Sequence, residues 1–293
     1  MRRAVIDLGT NTFNLLIADT QTHQILFQTK EGVALGMGGI NEKRISPDAQ
    51  ARALKTLQHF KVLCDQWEVT QIHAIGTSAL RDAQNAADLV QMVANELAIQ
   101  IEIITGLQEA NLIYKGVALS YPFEQPALIM DIGGGSTEFI AADSKGPFVA
   151  QSFDIGVSRL FQHFTFQDPY SQEDIQRVEA YLNQHCQTFF EQALPEILIG
   201  ASGSFETFYE LLEGSYFEAN GQAQKVNTEQ FSKMLDQIIA STQAERDANP
   251  HIIAIRKRMA PLAAIKTRWV LQKTQAKKIF ISPNSLKEGV LFG

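Results

Sequence analysis

Two stretches of the chain end an apolar run in aspartate and follow it at once with small and hydroxylated residues: IDLGTNTFNLLIAD at 6–19 and MDIGGGSTEFIAAD at 130–143. They align without a gap, so that Asp7 meets Asp131, Gly9 meets Gly133, Thr12 meets Ser136 and Ala18-Asp19 meets Ala142-Asp143. A strand that bends through residues with little side chain opens its backbone N–H groups, and such a bend cradles a phosphate. The aspartate at the strand end is placed to ligate, directly or through water, the Mg2+ or Mn2+ that a phosphate brings. Two such loops face to face would grip a phosphate chain from both sides. The plain alternative for Gly133-Gly134-Gly135 is a hairpin turn that needs positive φ. The matched second loop, with aspartate before it and hydroxyls after it, favours the phosphate reading.

The elements that must hold these loops follow a repeated order. The runs AVIDL, FNLLIAD and ILFQTK, separated by turn residues, predict three short strands. A helix follows Ser46-Pro47, with Ser46 as its N-cap and Ala51, Leu54, Leu57, Phe60 and Cys64 at three- and four-residue steps. Then come strand IHAIG, helix NAADLVQMVANELA, strand IEIIT and helix LQEANLIYKGVAL. After the Pro122–Pro126 break the order restarts with strands ALIMDI, STEFIAAD and FVAQSFD, then helices at 157–164 and 171–192 and strand EILIGAS. Several helices between 202 and 274, strand KIFIS and helix SLKEGVLF complete it. Alternating strands and helices predict an α/β architecture. Each loop opens a three-strand meander followed by helices, so the chain reads as two similar domains.

Composition narrows the classes. A chain of 293 residues, 45% hydrophobic and 19% charged, suits a folded protein of about two domains. No apolar run reaches the roughly 18 residues that cross a bilayer, and Asp7 and Gly9 break the only N-terminal run that could resemble a secretory signal. A cytoplasmic protein without a membrane partner is expected. The net charge of −7 argues against a nucleic-acid-binding surface, so a polyanionic ligand would need a local basic pocket. Cys64 and Cys186 are expected as reduced, buried thiols, and the six histidines form no ligand cluster, which leaves oxygen to hold any metal.

The paired Asp-x-Gly loops resemble the phosphate loops of the actin, Hsp70 and sugar-kinase superfamily. More narrowly, the two loops together with GTSALRDAQN at 76–85 and IEIITGLQEANLIYKGV at 101–117 resemble the exopolyphosphatase and guanosine-pentaphosphate phosphatase (Ppx/GppA) family. DIGVSRL at 154–160 and SLKEGVL at 285–291 carry a weaker likeness to the end. The resemblance implies two RNase H-like (actin-like ATPase) domains facing each other across a cleft, each a mixed five-stranded sheet flanked by helices. Residues 1–122 with about 284–293 would form the first, and 123–283 the second, with helical insertions. It implies a Mg2+-dependent phosphohydrolase that releases terminal phosphate from inorganic polyphosphate or guanosine pentaphosphate, with a homodimer as a further expectation.

By the same resemblance Glu109 is the catalytic glutamate that orients or deprotonates the attacking water, and Arg81 contacts phosphate. Asp131 and Glu138 serve metal binding and catalysis, with Asp7 as the first-loop counterpart. Gly9, Thr10, Asn11 and Thr12, then Gly133, Gly134, Gly135, Ser136 and Thr137, match phosphate-binding positions. Without the resemblance Glu109 reads as an ordinary helix carboxylate, and Arg81 as the partner of Asp82 or Asp88.

The chain departs from the family pattern in places. Gln108 stands beside Glu109 where an acid is usual, Ala34 stands in VALGMGGI where arginine is common, and Lys287 replaces an arginine. In GASGSFETF, Gly203 and Ser204 keep a small-residue phosphate edge, but Phe205 replaces a hydroxyl, which argues against adenosine recognition. Longer members carry a further helical region implicated in gripping long polyphosphate, so processivity on long chains is not expected here. The basic residues from Arg256 to Lys278 read as the solvated face of a helix rather than a polyanion track. Two other functions stay open: a kinase or ATPase on the same fold, and a non-catalytic sensor of polyphosphate or an alarmone.

Overall fold

The computed structural model describes residues 1–217 and 221–293. The first sheet contains β1 (Arg2–Leu8), β2 (Thr12–Asp19), β3 (Gln24–Gly32), β4 (Gln71–Gly76) and β5 (Ile101–Ile103), in the order β3-β2-β1-β4-β5. Its helices are α1 (Pro47–Gln66), α2 (Ser78–Asp82), α3 (Ala86–Leu97) and α4 (Gly106–Ala118). The second sheet contains β6 (Ala127–Ile132), β7 (Thr137–Asp143), β8 (Gly146–Phe153), β9 (Ile197–Ala201), β10 (Gln224–Val226) and β11 (Lys278–Ile281). Around it lie α5 (Val157–His163), α6 (Gln172–Phe190), α7 (Ser202–Glu213), α8 (Thr228–Ala240), α9 (Gln243–Ala248) and α10 (Ala260–Thr274), and the chain ends in α11 (Leu286–Phe292).

The second sheet runs β10-β11-β9-β6-β7-β8. Without β10 its order and its pattern of parallel and antiparallel pairs copy those of the first sheet. The repeat is exact in register: Asp7 pairs with Asn14 as Asp131 pairs with Glu138, and the bulge between Ile17 and Ala18 recurs between Ala141 and Ala142. A sixth strand is the one departure from the expected five. β10 is three residues, Gln-Lys-Val, too short and too polar to carry a strand period, and it adds antiparallel to β11.

Each central strand is packed on both faces, which is why β6 reads as an unbroken apolar run and is buried throughout. Ser46 caps α1 as expected, its Oγ accepting from Ala49 N at 3.2 Å, with Pro47 fixing φ at the first helical position. Cys64 and Cys186 are free and buried.

One apolar cluster fills the first sheet and its helices, and a second fills the outer face of the second sheet. A third joins Ile75 of β4 to Ala110, Ile113 and Val117 of α4 and to Ile129, Ile140 and Ile199 of the second sheet. Helix α4 therefore bridges the two sheets. Helix α11 returns to the first half and packs on α4, β1 and β2. A Cβ on Gly116 would land on the Ser285 carbonyl oxygen, so the backbones of α4 and α11 touch at a place only glycine permits.

Candidate active site

A cavity of about 160 Å3 lies where the two Asp-x-Gly loops meet, lined by both loops, by Glu109 of α4 and by the first turn of α7. The loops are built alike. A Cβ on Gly9 would come 2.8 Å from the Thr12 carbonyl oxygen, and one on Gly133 would come 3.0 Å from that of Ser136. Neither glycine has φ in the left-handed region, and nor do Gly134 and Gly135. The hairpin alternative fails on that point, because positive φ is not what these glycines supply. Their role is close approach: the Asn11 side chain sits 2.8 Å from where a Gly134 Cβ would be, and the Ser78 and Thr10 hydroxyls crowd the same place on Gly135. Asn11 Oδ1 also accepts from Ser158 Oγ, so the first loop is fastened directly to the second half.

Five carboxylates line the cavity: Asp7, Glu109, Asp131, Glu138 and Glu206. Asp7 is pushed up to about 6 by burial, against the pull of a 2.9 Å bond that its Oδ2 accepts from Asn14 Nδ2. Asp131 is raised by burial although its Oδ2 accepts from Ser202 Oγ at 2.5 Å and Ser285 Oγ at 2.7 Å. Burial and then the Asp131 charge raise Glu138 to about 7, while Ser152 Oγ donates to its Oε1 at 2.6 Å. Glu109 is 7% exposed and lies well above the usual carboxylate range through burial and then the charge of Glu138. Arg81 Nη1 opposes this by donating to Glu109 Oε2 at 2.8 Å, and donates also to the Ile104 carbonyl at 3.2 Å.

This donor set suits a hard cation. Every described hydrogen bond to the Asp7 and Asp131 side chains falls on Oδ2, and both residues line the cavity. Among the described residues no three acidic, histidine or cysteine side chains form a complete metal cage. Mg2+ needs none, because it keeps several waters and binds through one or two carboxylates plus substrate phosphates.

Of the residues expected at the site, Asp7, Gly9 to Thr12, Glu109, Asp131, Gly133 to Ser136, Glu138, Gly203 and Ser204 line the cavity. Arg81 does not, because its guanidinium is spent on Glu109 and Ile104 rather than turned to Asp82 or Asp88. Thr137 lies fully buried beneath the loop, its Oγ1 accepting from Lys266 Nζ. Phe205 is core: a Cβ on Gly200 of β9 would land on its ring.

The basic stretch is not one solvated face. Arg256 lines the cavity, lies against Gly203 and donates to Thr207 Oγ1 at 3.0 Å. Lys266 is 1% exposed and donates to the Ile155 carbonyl at 2.7 Å; burial brings its ammonium down to about 7. The signal for Lys266 was present in PLAAIKTRWV, where the lysine sits among apolar residues on every side of the helix. Lys30 and Lys287 also line the cavity, Lys30 reaching across it to Glu206 at 2.8 Å and Lys287 paired with Glu288 at 2.8 Å. Ser285 and Ser202, which hold Asp131, carried no sequence signal of that role.

Residues 16–293 match the model of the Ppx/GppA phosphatase family. Among solved structures the chain is similar to an exopolyphosphatase from Cytophaga hutchinsonii, with 36% identity and a TM-score of 0.95 over 100% of this chain and 97% of that one. It is also similar to a Ppx/GppA enzyme from Aquifex aeolicus, with 25% identity and a TM-score of 0.82 over 99% of this chain and 98% of that one. The type II variant of the Aquifex aeolicus phosphatase gives 26% identity and a TM-score of 0.77, with 99% and 98% covered.

Proposed function

The chain belongs to the Ppx/GppA phosphatase family, and on that premise we propose that it releases terminal phosphate from inorganic polyphosphate by attack of water. The observation that carries the reading is the meeting of two matched phosphate loops with a buried glutamate at one cavity. The likeness to the Cytophaga hutchinsonii exopolyphosphatase supports the choice of substrate. On this reading the halves that close on the substrate are residues 1–122 with 284–293, and 123–283, a division supported by the packing of α11 on α4 and β1.

Phosphoryl transfer asks the protein for position and charge compensation more than for covalent help. The loop amides at Gly9 to Thr12 and Gly134 to Ser136 bind the phosphoryl oxygens, while that of Gly133 closes the second loop on the Ser136 carbonyl at 3.1 Å. Asp7 and Asp131 would hold a Mg2+ or Mn2+ ion, which when bound offsets the charge of those oxygens. Glu109 takes a proton from the attacking water through Oε1, while Arg81 holds Oε2 and fixes the carboxylate plane. Burial and then the charge of Glu138 raise Glu109 and make it a stronger base than an exposed glutamate.

The test is phosphate release from polyphosphate, guanosine pentaphosphate and ATP, each with and without Mg2+. Release from polyphosphate that requires Mg2+ is expected. Tight polyphosphate binding without release from any of the three would replace the enzyme with a sensor.

A further inference from the structure

Two pieces of sequence stand outside this mechanism: Asp82, directly after Arg81, and Arg159 of the DIGVSRL stretch. The fold brings them together. Arg159, in the first turn of α5, is only 9% exposed, and all three of its guanidinium nitrogens are engaged. Its Nε donates to the carbonyl of Gly135 at 3.0 Å, its Nη1 to that of Ile40 at 3.4 Å and its Nη2 to Asp82 Oδ2 at 2.5 Å. The first half holds the backbone of this arginine as well, through Asn41 Nδ2 on the Arg159 carbonyl at 3.2 Å.

Each end of this link leads to a working part of the cavity. Gly135 belongs to the second phosphate loop, and its carbonyl accepts also from Gly156 N at 3.1 Å. Asp82 ends α2, the five-residue helix whose Ser78 lines the cavity and donates to Asp82 Oδ2 at 3.3 Å. The same short helix carries Arg81, and Arg81 holds Glu109. One side chain therefore connects the loop that receives the phosphate, in one half, to the helix that orients the base, in the other. Arginine suits this because its rigid fork serves three acceptors in fixed directions, which lysine cannot do.

We propose that Arg159 and Asp82 form a positioning pair that sets the distance between the Gly133–Gly135 loop and Glu109. The pair touches neither substrate nor water and acts through Gly135 on one side and through α2 and Arg81 on the other. The proposal rests on the phosphohydrolase reading for its kinetic consequence but not for its geometric one.

Two measurements on the full chain test it. Arg159→Lys loses the fork while keeping a cation, and Asp82→Ala removes the carboxylate that the fork grips. Each lowers kcat for polyphosphate by about 10- to 100-fold, the cost of misplacing reacting groups by about an ångström. KM stays within about threefold, since the substrate contacts remain. The double variant loses no more than the worse single one, because both break one link. Asp154→Asn, on a carboxylate 3.7 Å from Arg159 whose side chain is 66% exposed, leaves kcat unchanged. In parallel, spin labels at Lys55→Cys on α1 and Glu173→Cys on α6 report the separation of the halves: one narrow distribution in the parent, broadened alike in both variants.

Multiplying losses in the double variant, a kcat per folded molecule equal to the parent, or an unbroadened distribution would each overturn the pair. If Arg159→Lys fails to fold, Asp82→Ala alone carries both measurements. A parent protein that releases no phosphate from polyphosphate refutes the functional reading instead, and the label distances still decide the pair.

Discussion

Replacing Glu109 by glutamine removes the proposed base and changes almost nothing else. The amide keeps the shape of the carboxylate and, with its oxygen toward Arg81 Nη1, keeps an acceptor at the 2.8 Å position. The lost contribution is proton transfer from water, about 10²- to 10⁴-fold. At about 1.4 kcal/mol per factor of ten this raises the barrier by about 3–5 kcal/mol. Stability moves little, for two effects oppose each other. Arg81 loses an ionic partner, while the cavity loses a buried charge that Glu138 repels. Colorimetric phosphate release from polyphosphate, with kcat and KM resolved, is the assay, and KM is expected unchanged. The parent carries a second signature. Because Glu109 must be ionised to act and its pKa lies above the usual range, kcat falls as pH drops through that raised value. Glu109→Gln loses this contribution to the acid limb and keeps that of Asp7 and Glu138. Turnover within a few-fold of the parent would refute the assignment of the base.

Three further outcomes follow from the site and its supports. Asp7 and Glu138 have folded pKa values of about 6 and about 7, above their unfolded ones. Their protonation stabilises the metal-free fold fully below the unfolded values of 3.8 and 4.5, and this contribution is lost as pH rises from there through about 6 for Asp7 and about 7 for Glu138. Mg2+ with phosphate should therefore raise the melting temperature more at pH 8 than at pH 5, and an equal rise at both would count against carboxylate ligation. Lys266 behaves in the opposite sense, its folded value of about 7 lying below the unfolded 10.5. The unfolded chain binds the extra proton between those values, so stability rises with pH across that window; urea midpoints of Lys266→Met should lack this rise, and parallel curves would reject it. Gly116→Ala drives a Cβ into the Ser285 carbonyl, costing about 1–3 kcal/mol as overpacking does and lowering activity as Ser285 leaves Asp131; a urea denaturation midpoint and kcat both equal to the parent's would show that α11 is not needed at the site.

The repeat was legible because a gapless alignment of two short stretches carries register as well as composition, and register is what a sheet preserves. The aspartates and the loop glycines came with it, whereas Glu109 lies outside the repeat and was marked only by the family resemblance. The cations were harder to place. Residues 260–267 are buried without exception, so α10 has no polar face through that span, and a run of lysines and arginines counted along it averages over sites with opposite fates. Arg256 precedes this helix and reaches the cavity only because its loop folds over the first turn of α7. Ser285 and Lys287 enter from a helix that packs on the far half of the chain, a contact that no local pattern encodes. Strand β10 escaped because three residues hold no period.

The two sheets repeat each other residue for residue at the site, yet Asp7 faces an amide in Asn14 where Asp131 faces a carboxylate in Glu138. An unbranched polyphosphate reads the same from either end. A pocket whose backbone is nearly two-fold but whose charge is not gives such a molecule a direction. The repeated backbone supplies a two-sided grip, and the unequal partners of Asp7 and Asp131 make its two sides chemically different.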